Sequence, residues 1–460
     1  MFKKILICNR GEIALRVMRT CKELGIECVA VHAAVDRESL HVKYADESVC
    51  VGKASSADSY LKVSNLIAAA AITGAEAIHP GYGFLSENAD FAETVMENGF
   101  TWIGPDPDTI RRMGDKATAR ATAEAAGVRT VPGTGILPTL EAALAAAATI
   151  GYPVLLKATS GGGGKGMRPA DSDAELRRAF ATASSEALAA FGDAGLYMEK
   201  SLARPRHVEI QILADAHGNV VHLGERDCSV QRRHQKLIEE APSPAVTPEL
   251  RQRMGADAVK LAREVDYRSA GTVEFLLDED GSYYFMEMNT RIQVEHPITE
   301  FLTGVDLVQE QLRAAAGEPL SFRQEDVRFS GHAIECRINA EDPARGFMPS
   351  PGTIRDFHAP GGLGVRVDSH LYTGYTIPPY YDSLLAKIIV HGRDRTEAIA
   401  RMVRALEESV FEGVATSIPF HLAVLAQPEF RAGTITTRFL EDHGVQLQEA
   451  MHVRAQAAEA

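Results

Sequence analysis

Cysteine is scarce in this chain: six in 460 residues, at positions 8, 21, 28, 50, 228 and 336. No two of them fall at CxxC or zinc-site spacing, so no such centre is expected. A reduced, cytoplasmic setting is the simplest one for cysteines used this way. Long apolar runs are missing too, and no segment approaches the roughly 20 apolar residues of a membrane span. After the basic start, the apolar run from Ile5 to Cys8 stops at Asn9-Arg10, too short for a signal peptide. Positive charge is in the minority, with 48 Lys and Arg against 62 Asp and Glu, net −14. That balance argues against non-specific binding to nucleic acid or to an anionic membrane. It leaves anionic substrates open, because a site concentrates its own local charge.

What is present is ordinary for a globular protein: 45% hydrophobic and 24% charged residues. The length implies two or three domains. Lys4 to Cys8 reads as a strand, Ile13 to Leu24 as an amphipathic helix and Glu27 to His32 as a second strand. This alternation runs to about residue 104 and predicts a doubly wound α/β domain. Residues 108–127 read as helical. Residues 131–202, with a helix from Thr139 to Ile150 and a strand from Pro153 to Ala158, form a small α+β unit. From Arg206 strands dominate, interrupted by a helix near 248–265. The closing region, 330–446, holds further strands and a helix near 395–409. The last dozen residues read as a frayed tail.

The most informative run is Met286 to His296. Glu287, Asn289, Arg291, Gln293 and Glu295 occupy every second position, so an extended backbone would put all of them on one face. Carboxylate, amide and guanidinium mixed on one face suit a metal and an anion. Upstream, Thr272 to Leu277 reads as a strand, and Asp280-Gly281 signals a two-residue hairpin turn. Counting outward, 279 pairs with 282 and Glu274 stands opposite Glu287, with Cβ atoms about 5 Å apart. Two carboxylates so placed repel unless a cation lies between them, and Mg²⁺ held through carboxylates and substrate phosphates fits best. Two solvated glutamates on an exposed hairpin are the alternative.

Other motifs are weaker singly. Gly161 to Gly164, then Lys165-Gly166, follow a strand but are neither a helix opening nor a Walker loop. They suit a strand–glycine loop–strand flap whose N–H groups wrap phosphate, with Lys157 beside it; a flexible linker is the other reading. His207, Glu209 and Gln211 share one strand face. Glu225 to Lys236 mixes charges of both signs. Cys228 is either a reactive thiol or, more commonly, a small core residue. In His79 to Asn88 two glycines flank Tyr82, which suits a close ligand or a plain turn.

Together these residues resemble biotin carboxylase, the ATP-grasp component of biotin-dependent carboxylases. The resemblance rests on Asn9 to Ala14, His79 to Asn88, Met113 to Lys116, the glycine flap, Arg206 to Gln211, Glu225 to Lys236, Met288 to His296 and Glu335 to Asp342, and covers residues 1–446. It implies an N-terminal Rossmann-like domain (1–112), an ATP-grasp domain (113–325) with a mobile lid at about 131–202, a β-rich C-terminal domain (326–446) and a tail (447–460). It implies that Lys116 and Lys157 contact ATP phosphates while the flap around Gly163 and Gly164 closes over them. Glu199, Lys200, Ser201, Leu202 and Leu276 would line the adenine pocket, with His207, Gln231 and His234 helping to hold the nucleotide. Glu274 and Glu287 would ligate Mg²⁺ or Mn²⁺, with Asn289 completing a second metal's shell. Lys236, Arg291, Gln293 and the Val294 backbone would hold bicarbonate, and Glu295 would deprotonate it. Arg337 would face the biotin ureido oxygen, beside Tyr82 and Gly83. Three departures from the family pattern are a flap of four glycines after Thr159-Ser160, where relatives commonly have a longer run, Lys165 in that flap, where arginine is commoner, and Ser201 in place of a hinge aromatic.

The implied reaction is ATP- and bicarbonate-dependent carboxylation of biotin N1′ through carboxyphosphate, the first half-reaction of acetyl-CoA carboxylase. Propionyl-CoA or pyruvate carboxylase is the alternative setting. Another ATP-grasp ligase would share the metal and phosphate residues, but Arg291, Gln293 and Glu295 together with Arg337 speak against it, as the full catalytic set speaks against a pseudoenzyme. Glu449 to His452 imitates a biotin-attachment sequence, but His452 stands where a lysine is needed. Biotin is therefore expected on a separate carboxyl carrier protein. Carboxyltransferase subunits and a second copy of this chain, as a homodimer, are the other expected partners.

Overall fold

The computed structural model describes residues 1–159, 167–191 and 194–459. The strand Lys4–Ile7 lies at the centre of a five-stranded sheet. Its order is Glu47–Gly52, Glu27–Ala33, Lys4–Ile7, Ala77–His79, Thr101–Trp102, and all neighbours are parallel. Ile5 and Ile7 pack with Ile13, Val17 and Cys21 of the Gly11–Glu23 helix. Leu6 and Val29 point the other way, to Leu66 and Phe91. Both faces are covered, which is why these strands read as unbroken apolar runs. Ile5, Leu6 and Ile7 are 0% exposed, and each such side chain contributes about 1.5–3 kcal/mol. All six cysteines are free, and Cys228 is a buried core residue.

The helix expected over 108–127 is two helices, Pro107–Gly114 and Lys116–Ala125. Asp115 breaks them with an extended backbone, and its carboxylate accepts from the Thr118 N–H at 2.8 Å. Aspartate gains more as a cap than inside a helix, and the break puts Lys116 at a helix start. The small unit within 131–202 has its own antiparallel sheet, ordered Met167–Ala170, Val154–Ala158, Leu196–Lys200. The helices Leu140–Ile150 and Asp173–Phe191 accompany it, with Val154, Leu156, Leu176 and Met198 in its core. Residues 160–166, and with them Gly163, Gly164 and Lys165, lie outside the described residues.

The main sheet has eight antiparallel strands. Their order is Tyr283–Asn289, Ser269–Leu277, Arg206–Ala214, Val220–Arg232, Gln235–Ala241, His332–Asn339, Leu384–Gly392, Val365–Ser369. It runs without a break past residue 326, because Ile238 pairs with Cys336 and Ala241 with Ala333. The expected frayed tail is instead a helix, Gly444–Glu459. Leu447 and Met451, four residues apart, share a face and are buried in the C-terminal core beside Phe420 and Leu422. That apolar pair overrides the Ala-, Gln- and Glu-rich composition that suggested fraying. No helix among the described residues is long and apolar enough to cross a membrane.

Candidate active site

Glu274 and Glu287 are directly opposed across the antiparallel pair Ser269–Leu277 and Tyr283–Asn289. The turn, however, is not the two-residue one expected. Asp278 N–H donates to Ser282 O at 2.8 Å, so three residues form the loop, ending on Gly281 at φ +81. Only a glycine takes that left-handed position freely. Leu277 therefore pairs with Tyr283, and 279 does not pair with 282. A one-residue bulge at Met286 then shifts the register back and restores Glu274 to Glu287.

Across the sheet Glu274 also faces Glu209, and Glu209 faces Arg226. Three glutamates and one arginine thus form a row over four strands. Glu209 and Arg226 are 0% exposed and Glu274 is 3% exposed, so these charges stand only if they are paired. Lys236 Nζ reaches Glu209 at 2.5 Å, Glu274 at 2.8 Å and Glu295 at 2.7 Å. His207 Nε2 lies 3.0 Å from Glu274. Burial alone would raise the Glu274 pKa, but Lys236 and His207 hold it well below the carboxylate range. Against the lowering effects of burial and of Lys236, Glu274 in turn raises His207. Glu287 is raised, by burial and then by Glu274 opposite it.

The strand stops at Asn289, so the picture of one extended run through Glu295 is corrected. Glu87 bends the chain away: it accepts from Thr290 N–H at 3.1 Å and from Arg291 Nε at 2.8 Å. A turn at Val294 and Glu295 then opens the helix His296–Thr303. The polar groups converge all the same. Asn289 Nδ2 and Gln293 Nε2 each donate to Glu274 Oε1 at 2.9 Å. Arg291 Nη2 donates to Asn289 Oδ1 at 2.8 Å. Glu295 accepts from Lys236 on Oε1 and from Arg337 Nη2 on Oε2 at 2.9 Å. Burial works against ionisation there, and Lys236 and Arg337 overcome it, keeping Glu295 well below the usual range. Arg337 Nε also donates to Glu239 at 2.6 Å.

These groups line one cleft of about 1560 Å³. Tyr82, Gly83, Lys116, Lys157, Glu199, His207, Gln231, His234, Lys236, Glu274, Leu276, Glu287, Asn289, Arg291, Gln293, Val294, Glu295 and Arg337 all border it. Lys200, Ser201 and Leu202 do not. Lys200 Nζ turns back to the carbonyls of Gly151 at 3.0 Å and Tyr152 at 2.8 Å. Glu199 is bonded to Lys157 and, at 3.2 Å, to Arg120. The Tyr82 loop is built by Asn9, whose Nδ2 donates to Pro80 O at 2.8 Å and Tyr82 O at 2.7 Å. Gly81 sits at φ +64 there, and a Cβ on it would meet Asn9 at 2.9 Å.

Residues that sequence reasoning missed are Arg226, Glu87, Glu239 and Glu12. Arg226 uses all its donor nitrogens: Nε to Glu209, Nη1 to Gln211 at 2.6 Å and Thr299 at 3.0 Å, Nη2 to Thr272 at 3.1 Å and Gln293 at 2.7 Å. The shared face of Glu209 and Gln211 was the available signal, since two such side chains in a buried strand need a cation opposite. The oxygens of Glu274, Glu287 and Asn289 suit a hard divalent cation. Burial and then the charge of Glu274 raise Glu287, and such an ion would relieve the second of these.

Residues 1–110 match the biotin carboxylase N-terminal domain, 115–323 the ATP-binding domain of the carbamoyl-phosphate synthase L chain, and 335–442 the biotin carboxylase C-terminal domain. A biotin carboxylase of Nostoc sp. is 58% identical over 442 residues, 96% of this chain and 99% of that protein. Biotin carboxylase 1 of Bacillus subtilis is 58% identical over 447 residues, 97% of this chain and 99% of its own length. Among solved structures, the biotin carboxylase domain dimer of Hydrogenobacter thermophilus 2-oxoglutarate carboxylase, in complex with MgADP, ADP and bicarbonate, superposes with a TM-score of 0.91. It is 52% identical and covers 97% of this chain and 99% of that one. By its three domains and by these likenesses over nearly its whole length, the chain belongs to the biotin carboxylase family.

Proposed function

We propose that this chain carboxylates biotin N1′ with ATP and bicarbonate, and that Glu295 is the base. The observation that carries the reading is the set of contacts on Glu295. Lys236 holds one of its oxygens and Arg337 the other, so a bicarbonate-side cation and a biotin-side cation share one carboxylate. Bicarbonate is a poor nucleophile until it loses its proton. Lys236, Arg291 and the Val294 N–H hold the anion; as it draws charge from Lys236, the grip on Glu295 weakens and its proton affinity rises. The deprotonated anion attacks the γ-phosphate, whose developing charge Lys116 and Lys157 offset. A divalent ion held by Glu274, Glu287 and Asn289 would supply further neutralisation at the phosphates.

The products of that step are ADP and carboxyphosphate, which water destroys. Carboxyphosphate breaks down to CO₂ and phosphate, the phosphate takes the N1′ proton, and N1′ attacks CO₂. Arg337 stabilises the ureido oxyanion, with Tyr82 and Gly83 beside the ring. Glu199, Leu276, His207, Gln231 and His234 serve the nucleotide, and the lid over 131–202 shields the intermediate.

The setting we infer is the first half-reaction of an acetyl-CoA carboxylase in the cytoplasm. Biotin arrives on a carrier protein, carboxyltransferase subunits take the product, and two copies of this chain associate. The test is ATP cleavage that requires bicarbonate, followed with and without free biotin, with N1′-carboxybiotin as product. ATP turnover indifferent to biotin would overturn the reading.

A further inference from the structure

Lys387 is a wholly buried cation with no part in the chemistry above. It lies on the strand Leu384–Gly392, directly opposite Arg337, and is 0% exposed. An ammonium so placed is retained only where oxygens surround it. Nζ donates to the Val294 carbonyl at 2.7 Å, lies 3.3 Å from Glu12 Oε2 and is 3.9 Å from Asp368. Asp368 is already held by Arg366 and by Arg19 at 2.9 Å, which leaves Val294 and Glu12 as the near partners of Lys387. Glu12 stands in the first turn of the Gly11–Glu23 helix, and its other oxygen accepts from the Tyr82 hydroxyl. A continuous line, Tyr82 to Glu12 to Lys387 to the Val294 carbonyl, joins the wall assigned to biotin to the turn assigned to bicarbonate.

The Val294 carbonyl belongs to the peptide linking Val294 to Glu295. Fixing its direction fixes the turn that presents both the Val294 N–H and the Glu295 carboxylate. We propose that Lys387 is a positioning residue for bicarbonate, anchoring this turn to the carboxylate that also holds Tyr82. This rests on the function proposed above. A part in packing alone would be filled as well by an apolar side chain, without the desolvation of an ammonium.

Bicarbonate-dependent ATP cleavage by the unaltered protein, with and without biotin, is measured first. Its absence sinks the reading of the site itself. Given that activity, Lys387→Met is expected to raise the KM for bicarbonate about tenfold, the effect of losing a charge-assisted hydrogen bond. The KM for MgATP should stay within about twofold, and Lys387→Arg should restore most of the bicarbonate affinity. A folded Lys387→Met protein with unchanged bicarbonate KM, or with both KM values raised equally, overturns the role. Should that variant fail to fold, Glu12→Gln decides. It keeps the shape but removes the charge, and is expected to raise the bicarbonate KM about threefold; no change there overturns the role.

Discussion

Arg337 and Glu295 are in direct contact, with Nη2 2.9 Å from Oε2. The residue assigned to biotin thus touches the residue assigned to bicarbonate. On the proposed mechanism, the carboxylate that takes a proton in the first chemical step is oriented by the cation that stabilises charge in the last.

Glu295→Gln keeps the shape of the side chain and removes the proposed base. Bicarbonate-dependent ATP cleavage is expected to fall about 100- to 1,000-fold, with MgATP binding unchanged by titration calorimetry. Retained bicarbonate-dependent turnover would reassign the base.

Arg337→Ala separates the half-steps. Carboxylation of free biotin should fall by at least about 100-fold, as expected on losing an oxyanion partner. The slow ATP cleavage expected without biotin should persist within about threefold. Parallel loss of both would place Arg337 in phosphoryl transfer instead.

Glu287→Gln removes one carboxylate of the opposed pair proposed to hold the metal. The Mg²⁺ concentration for half-maximal ATP cleavage is expected to rise about 10- to 100-fold. A variant with an unaltered Mg²⁺ requirement argues that the ion is held elsewhere.

Arg226→Met is expected to destabilise the fold by about 3–5 kcal/mol, because it leaves Glu209 buried without its guanidinium. Arg226→Lys should rescue little, since an ammonium offers three donors where the guanidinium offers five. Urea unfolding of the two variants beside the parent checks both statements.

His41 and His370 give the protein an acid-sensitive core. Burial and then Arg10 push His41 down to about 4, and burial, Arg10 and His41 push His370 down to about 3. Between those values and the unfolded pKa of about 6.5, the unfolded chain binds more protons than the folded one. Stability therefore falls as pH drops through that window, by up to about 1.4 kcal/mol per pH unit for each histidine. It is fully present above the unfolded value. Melting temperatures between pH 7 and pH 4 should show the decline, and His41→Gln should make it shallower by the share of that one histidine.

Much of the site was legible because its chemistry is local in sequence. Glu287, Asn289, Arg291, Gln293 and Glu295 announce themselves by type, whatever their backbone does. The pairing of Glu274 with Glu287 was reached through a turn that the protein does not make. A three-residue loop and a bulge at Met286 displace the register in opposite senses and cancel. Lys200, Ser201 and Leu202 were read from the resemblance as pocket residues, but the Lys200 ammonium is taken by two carbonyls behind the strand.

By itself the sequence determined the parallel sheet, through apolar strands that alternate with amphipathic helices. It also determined the polar inventory of the site. Hydrophobic period and residue type are properties of neighbours along the chain. Only the tertiary structure decided which charges meet. Arg226 finds Glu209 and Gln293, Lys236 joins three glutamates, and Lys387 reaches Val294 across 93 residues. It also decided that one sheet runs through the expected boundary near residue 326, because Gln235–Ala241 pairs with His332–Asn339. Those contacts are set by strand order and by the need to neutralise buried charge, and neither leaves a period in the sequence.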